Sequence, residues 1–266
     1  MNCSRLLVWI WCLAWGFMPV PDGNAASIST SQAYIMPVQV PYFPPPKAEF
    51  PDIPSATPAP KELTQKDLDR AEALLPLLEG RQEYYAMGEF NHLGKPVVPI
   101  LVKGLTMASP RIRYNTIETL SMIKDPDAIP HLLETGKDVN EMTRIRTHAL
   151  RVAVEIDPQQ VIATFKQLTN DPEETIRRTV AVQSRSVQHL DVLYLLTDLL
   201  ADSERFVATE ALHSFWRLTR YSGPPRNWEG SNQKQRQQWA KEWRAWLNEH
   251  ADHFREPGQP AHPQAK

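Results

Sequence analysis

The sequence predicts an all-α fold: an α-solenoid, a superhelix of antiparallel helix pairs. Three observations predict it. Similar blocks recur at near-constant spacing, with "IRYNTI" from Ile112, "IRTHAL" from Ile145, "IRRTVA" from Ile176 and "VATEAL" from Val207 standing 33, 31 and 31 residues apart. Each block continues an apolar stripe at helical spacing. Glycine is scarce, 10 residues against 24 prolines, which disfavours a turn-rich barrel or sandwich. Two helices fit in each interval of about 32 residues, and such pairs bury their apolar faces only by stacking on their neighbours.

Residues 1–25 read as a cleavable export signal. Arg5 lies in a short basic start, an apolar run follows from Leu6 to Val20, and small residues around Ala25 and Ala26 mark the cut. As a helix that run spans about 22 Å against a hydrocarbon core of about 30 Å, so no stable membrane span is expected after cleavage. A retained anchor is the competing reading. Both cysteines, Cys3 and Cys12, lie in this segment, so the cleaved chain has no thiol chemistry. The expected location is secreted or periplasmic.

Residues 26–62 form a proline-rich arm. Nine prolines between Pro37 and Pro60 forbid a helix or central strand, and the arm is expected to be extended and disordered. Tyr34, Tyr42, Phe43 and Phe50 leave open whether it is a plain spacer or docks on a partner.

The solenoid is expected over residues 63–222. Thr64 with Asp67 resembles a capping box that opens the first helix. The second helices carry the stripes Ile112, Thr116, Ile117, Leu120, Ile123; Ile145, Ala149, Leu150, Ala153, Ile156; Ile176, Val180, Ala181, Ser184, Val187; and Val207, Ala211, Leu212, Phe215, Leu218. Between them lie shorter first helices. Pro96, Pro126 and Pro158 fall near their starts, where a missing N–H costs no intrahelical bond, and Asp125 and Asp157 stand as caps.

The stretches "DPDAIPHLLE" from Asp125 and "NDPEETIRRTVA" from Asn170 resemble HEAT repeats of the short kind first associated with phycobilisome bilin lyases. The resemblance covers about Leu93 to Arg220, with Thr64–His92 as a degenerate first repeat. It implies a ladder between repeats, built from an Asp at the turn and an Arg six residues later. Asp171 and Arg177 match it. Arg146 and Arg113 match in part, because Asn140 and Met107 stand at their Asp positions, and at Asp202 the Arg position holds Ala208. The resemblance also implies that the second helices line a concave surface.

Residues 223–254 supply a loop and a capping helix, and a disordered tail occupies 255–266. Trp239, Trp243 and Trp246 fall at i, i+4 and i+7 on one helical face. Three large rings are ample to seal the raw end of a solenoid. A carbohydrate or amine site built from the same rings is the alternative.

Chemistry-bearing motifs are scarce. The chain has no Gly-x-Ser-x-Gly elbow, no phosphate-binding glycine loop and no His-Glu-x-x-His. His250 and His253 have ligand-like spacing but read as a solvated helix end. No catalytic residue, metal ligand or cofactor is therefore assigned. With 29 basic against 31 acidic residues, net charge −2, a general nucleic-acid binder is disfavoured. The face opposite the core stripe holds Tyr114, Glu118, Thr147, Arg151, Arg178, Arg185, His213 and Trp216, a mildly basic row suited to an extended peptide or an acidic partner. The expected function is non-catalytic: a cell-envelope scaffold binding another envelope protein or an extended peptide on that row. Two alternatives stand beside it, a bilin-lyase-type enzyme or enzyme subunit and a binder of cell-wall glycan or anionic polymer. The oligomeric state is open.

Overall fold

The computed structural model describes residues 63–221 and 227–255. The expected export signal, the proline-rich arm and nearly all of the tail lie outside the described residues. The described residues form helices, 3₁₀ turns and loops, with no strand among them.

The α-helices run α1 Gln65–Leu74, α2 Glu83–Leu93, α3 Val98–Leu101, α4 Pro110–Ile123, α5 Ile129–Lys137, α6 Thr143–Ile156, α7 Ile162–Leu168, α8 Glu174–Gln183, α9 Leu190–Leu199, α10 Arg205–Thr219 and α11 Gln233–His250. They stack in two layers. The second helices α4, α6, α8 and α10 pack in sequence, with α2 against α4. The first helices α5, α7 and α9 pack in the other layer. The α-solenoid is therefore present.

Local chemistry explains the helix starts. Thr64 Oγ1 accepts from the Asp67 N–H at 3.3 Å, and the Asp67 carboxylate accepts from the Thr64 N–H at 3.0 Å, a complete capping box. Asp125 accepts from the Asp127 N–H and opens a 3₁₀ turn at Pro126, which runs into α5. Pro158 acts differently from expectation. Asp157 folds a turn by accepting from the Gln159 N–H, and α7 begins only at Ile162. At α11, Asn232 and Gln235 form a second capping box that the sequence reading missed.

The predicted stripes are the core. Ile112, Thr116, Ile117 and Leu120 are buried, as are Ile145, Ala149, Leu150 and Ala153, then Ile176, Val180, Ala181, Ser184 and Val187, and Val207, Ala211, Leu212 and Phe215. Only the residues closing three of the stripes, Ile123, Ile156 and Leu218, are partly exposed. Close approach at the first-to-second helix crossings needs glycine. A Cβ on Gly136 would stand 2.5 Å from Leu150 Cδ2, and one on Gly104 would stand 2.2 Å from Thr116 Oγ1.

The ladder differs in connectivity from the sequence expectation. The Arg of one repeat pairs with the acid of the next. Arg146 reaches Asp171, Arg177 reaches Asp202, and Arg113 reaches Glu141. The acid six residues before each Arg is therefore not its ion-pair partner, although Arg177 Nη1 also donates to the Asp171 carbonyl at 2.8 Å. Asn140 and Met107 do not weaken the ladder, since Glu141 and the Met107 carbonyl serve in their region. The slot left by Ala208 is filled from the cap. The buried Arg236 of α11 donates to the carbonyls of Asp202 and Ser203 at 3.3 and 3.0 Å.

The cap packs along α9 and sets its rings against Phe215 of α10. Tyr194 of α9 donates to Asn248 Oδ1 at 2.9 Å. Trp243 is buried and lies 6.4 Å from Phe215, while Trp239 and Trp246 are partly exposed at the margins. Trp246 is sandwiched between Tyr221 at 4.0 Å and His250 at 4.6 Å. Trp228, in the loop before α11, donates from Nε1 to Thr209 Oγ1 at 2.9 Å and so ties the cap to α10 as well. No helix among the described residues is long and apolar enough to cross a membrane.

Candidate functional site

On the second-helix layer a polar cavity of about 540 Å³ opens between α4, α6 and α8. Its wall is made by Arg111 and Tyr114 from α4, Arg144, Thr147, His148 and Arg151 from α6, and Thr179 and Gln183 from α8. Equivalent positions of successive repeats meet here because the helices carrying them are stacked in register.

His148 is the base of the site. Its side chain is 7% exposed and its ring lies 4.4 Å from that of Tyr114. Burial, with the positive charge of Arg151 second, pushes its pKa down from 6.5 to about 4. The ring is therefore neutral near pH 7. The Arg151 guanidinium contacts Nδ1 at 3.5 Å, and a guanidinium only donates, so Nδ1 carries the lone pair and Nε2 the proton. Glu118 Oε2 lies 3.1 Å from Nε2, but out of line with the N–H, so the buried Nε2 has no aligned acceptor.

The three guanidinium groups differ in their partners. Arg111 forks onto Glu83 at 2.8 and 2.6 Å and holds that carboxyl below the usual carboxylate range against the effect of its burial. Asn115 donates to the same carboxylate at 3.0 Å. Arg151 pairs with Glu155, four residues along α6, at 2.5 Å. Arg144 is exposed and has no ion-pair partner among the described residues.

The expected row divides into three parts. Tyr114, Thr147 and Arg151 do line one cavity, with Glu118 at its edge. Arg178 and Arg185 instead converge on Glu210 of α10, at 3.2 and 3.0 Å, so much of their charge is compensated within the chain. His213 is exposed and stands 6.0 Å from Trp216, nearer the cap. The sequence reading missed Arg111, Arg144, His148, Thr179 and Gln183. Arg111 and Arg144 immediately precede Ile112 and Ile145 in the repeat register, and His148 follows Ile145 by three. A residue just before the first stripe position shares a face with those three and four residues later, so that signal was present in the sequence.

Residues 84–151 match the family model for HEAT repeats. The matched stretch is built of HEAT repeats. Over 149 residues the chain is 30% identical to the deoxyhypusine hydroxylase of Emericella nidulans, covering 51% of this chain and 44% of that protein. The deoxyhypusine hydroxylase of Aspergillus oryzae is likewise 30% identical, with 43% of its length covered. That of Aspergillus clavatus is 31% identical over 143 residues, with 41% covered. The chain thus spans less than half the length of these relatives.

These names overturn two expectations. A non-catalytic envelope scaffold, and a protein with no enzymatic role, were inferred from the lack of catalytic motifs. The relatives that match about half of the chain are enzymes by name. The physical reason for the miss is that core stripes and ladder fix the shape of a solenoid and serve a binder and an enzyme alike.

Proposed function

We propose that this chain works in the enzymatic modification of a protein, of hydroxylase type, and that the cavity between α4, α6 and α8 holds the polypeptide being modified. The observation carrying the reading is the similarity, over about half of the chain, to proteins named deoxyhypusine hydroxylase. The cavity supports it: three successive second helices offer side-chain donors to a single extended ligand.

Hydroxylation with dioxygen is commonly run at a bound metal, and the described residues do not fit one. No group of three or more His, Cys, Asp or Glu side chains among them is placed to hold a metal ion. At the cavity, His148 and Glu118 are a single pair, with the Arg151 guanidinium against the ring. The reading accordingly assigns substrate holding to the described residues and no chemical step.

The test uses the full chain with ferrous iron, a reductant and a protein bearing deoxyhypusine, read by mass spectrometry. A one-oxygen mass gain on that protein, lost when residues of the cavity wall are replaced, is expected. No gain, alone or with added cell extract from which the native chain has been removed, overturns the reading.

We further infer that residues 1–25 direct export and are removed near Ala25 or Ala26. The support is the basic, apolar and small-residue order of the segment. The mass of the mature N-terminus tests it: a chain that keeps Met1 in cells overturns it.

A further inference from the structure

The cavity wall between α4, α6 and α8 holds three guanidinium groups, from Arg111, Arg144 and Arg151, and no carboxylate. The acids that partner two of them, Glu83 for Arg111 and Glu155 with the more distant Glu118 for Arg151, are not part of the wall. Around the guanidinium groups are hydroxyl and amide groups from Thr147, Thr179 and Gln183. Arg144 alone has no acid partner among the described residues, and it is exposed at the start of α6, which leaves it open to an incoming anion.

The dimensions select the kind of anion. Arg144 and Arg151 are seven residues apart on one helix, a rise of about 10 Å. Neighbouring helices in such packing lie about 8–10 Å apart, so the wall from α4 to α8 runs roughly 16–20 Å. Two arginines seven residues apart can share one carboxylate, as Arg178 and Arg185 share Glu210, but a single small anion does not span the wall from Arg111 on α4 to Thr179 and Gln183 on α8. An extended polypeptide at about 3.3 Å per residue covers the wall with five or six residues, and side chains on alternate residues project the same way.

From this geometry we propose that the cavity is a recognition site for an acidic stretch of polypeptide, bearing carboxylates spaced to meet Arg144 and Arg151 while its backbone crosses Thr147, Thr179 and Gln183. The proposal rests on the substrate-holding reading above and names the chemistry of the segment held. Arg144 supplies the charge that no internal acid offsets, and Arg151 exchanges part of its bond with Glu155 for the ligand. Tyr114 and the neutral His148 form the floor, with the Glu118 carboxylate at its edge, 3.1 Å from His148 Nε2 and 3.9 Å from Arg151.

The test measures binding of a fluorescent Glu- and Asp-rich peptide to the full chain by anisotropy, with its Gln and Asn counterpart alongside. The acidic peptide is expected to bind, its amide counterpart not, and the affinity to fall as salt is raised. Arg144→Glu is expected to weaken binding about tenfold or more with unchanged helicity, because Arg144 makes no ion pair that the fold uses. Lys166→Glu, on α7 in the other layer, leaves binding unchanged. Equal binding of the two peptides, or an Arg144→Glu protein that binds as before, overturns the proposal. So does displacement by inorganic phosphate at concentrations where free glutamate has no effect. Acidic-peptide binding without hydroxylation counts against the enzymatic reading alone, and hydroxylation that survives Arg144→Glu counts against this site alone.

Discussion

Arg146 and Asp171 form an ion pair between successive repeats in which both side chains are only 3% exposed. The guanidinium makes two contacts with the carboxylate, and its Nε donates to the Gly136 carbonyl at 3.0 Å. The Asp171 carboxylate also accepts from the Glu173 N–H at 2.9 Å, which fixes the turn before α8. One arginine therefore links its own first helix, its own second helix and the next repeat. The Arg113–Glu141 and Arg177–Asp202 pairs repeat the arrangement with more exposure.

Removing one partner of such a buried pair is far worse than removing both, because the survivor keeps its desolvation cost without its partner. Arg146→Ala is expected to lower stability by about 3–5 kcal/mol. Arg146→Met combined with Asp171→Leu is expected to cost much less than Arg146→Ala alone. Urea unfolding of the three proteins checks this, and a double variant weaker than Arg146→Ala contradicts it.

Gly136 lies where α5 meets α6, and it is both a contact and a ladder acceptor. An added Cβ would overlap Leu150, which is fully buried. Moving α5 away would also lengthen the bond from Arg146 to the Gly136 carbonyl. Gly136→Ala is expected to cost about 1–3 kcal/mol, and Leu150→Val in the same chain to recover part of it. Thermal unfolding of the single and double variants is the measurement.

The stripe from Ile176 to Val187 was readable in the sequence because every member sits at helical spacing and every member is buried. The ladder residues were readable, but their partners were not. Arg177 and Asp171 are close in sequence, and only stacking shows that Arg177 instead meets Asp202, 25 positions away. Arg236 was invisible for the same reason, since it completes the ladder from a helix outside the repeat pattern. In the cavity, Arg144 lies one turn before Thr147 on the same face and His148 one position round the helix, so the row read from the repeat register holds Thr147 and Arg151 but neither of these two. The enzymatic reading had no local motif to carry it.

His148 gives the fold a dependence on pH. Its folded pKa is about 4 against an ordinary 6.5, lowered first by burial and then by Arg151, with Glu155 opposing. Below pH 6.5 the unfolded chain binds a proton that the folded chain refuses. Stability from this group is therefore complete above pH 6.5 and is lost as pH falls from 6.5 towards 4. The loss is at most roughly 3 kcal/mol. Glu118, 3.1 Å from Nε2, reduces it if the ring turns to meet it once protonated. His148→Gln is expected to flatten the stability–pH curve over that window, and a curve unchanged in slope contradicts the assignment.

The cap is a set of interlocked contacts, and its rings differ in what they do. Trp243 is 3% exposed and faces Phe215 and Trp228. Trp246 lies between Tyr221 and His250 nearer the surface. Trp243→Ala is expected to cost about 3–5 kcal/mol, the range for a large ring lost from a packed core, and Trp246→Ala less. Arg236→Ala removes charge-assisted bonds to the carbonyls of Asp202 and Ser203, worth about 1.5–3 kcal/mol together with their desolvation. It loosens the end of the ladder without touching the rings. If the rings formed a ligand site rather than a seal, Trp243→Ala would leave unfolding unchanged and alter only ligand binding. Guanidinium unfolding followed by far-UV circular dichroism separates the two, because a broken seal lowers the midpoint for the α9–α10 end while the Arg146 ladder stays intact.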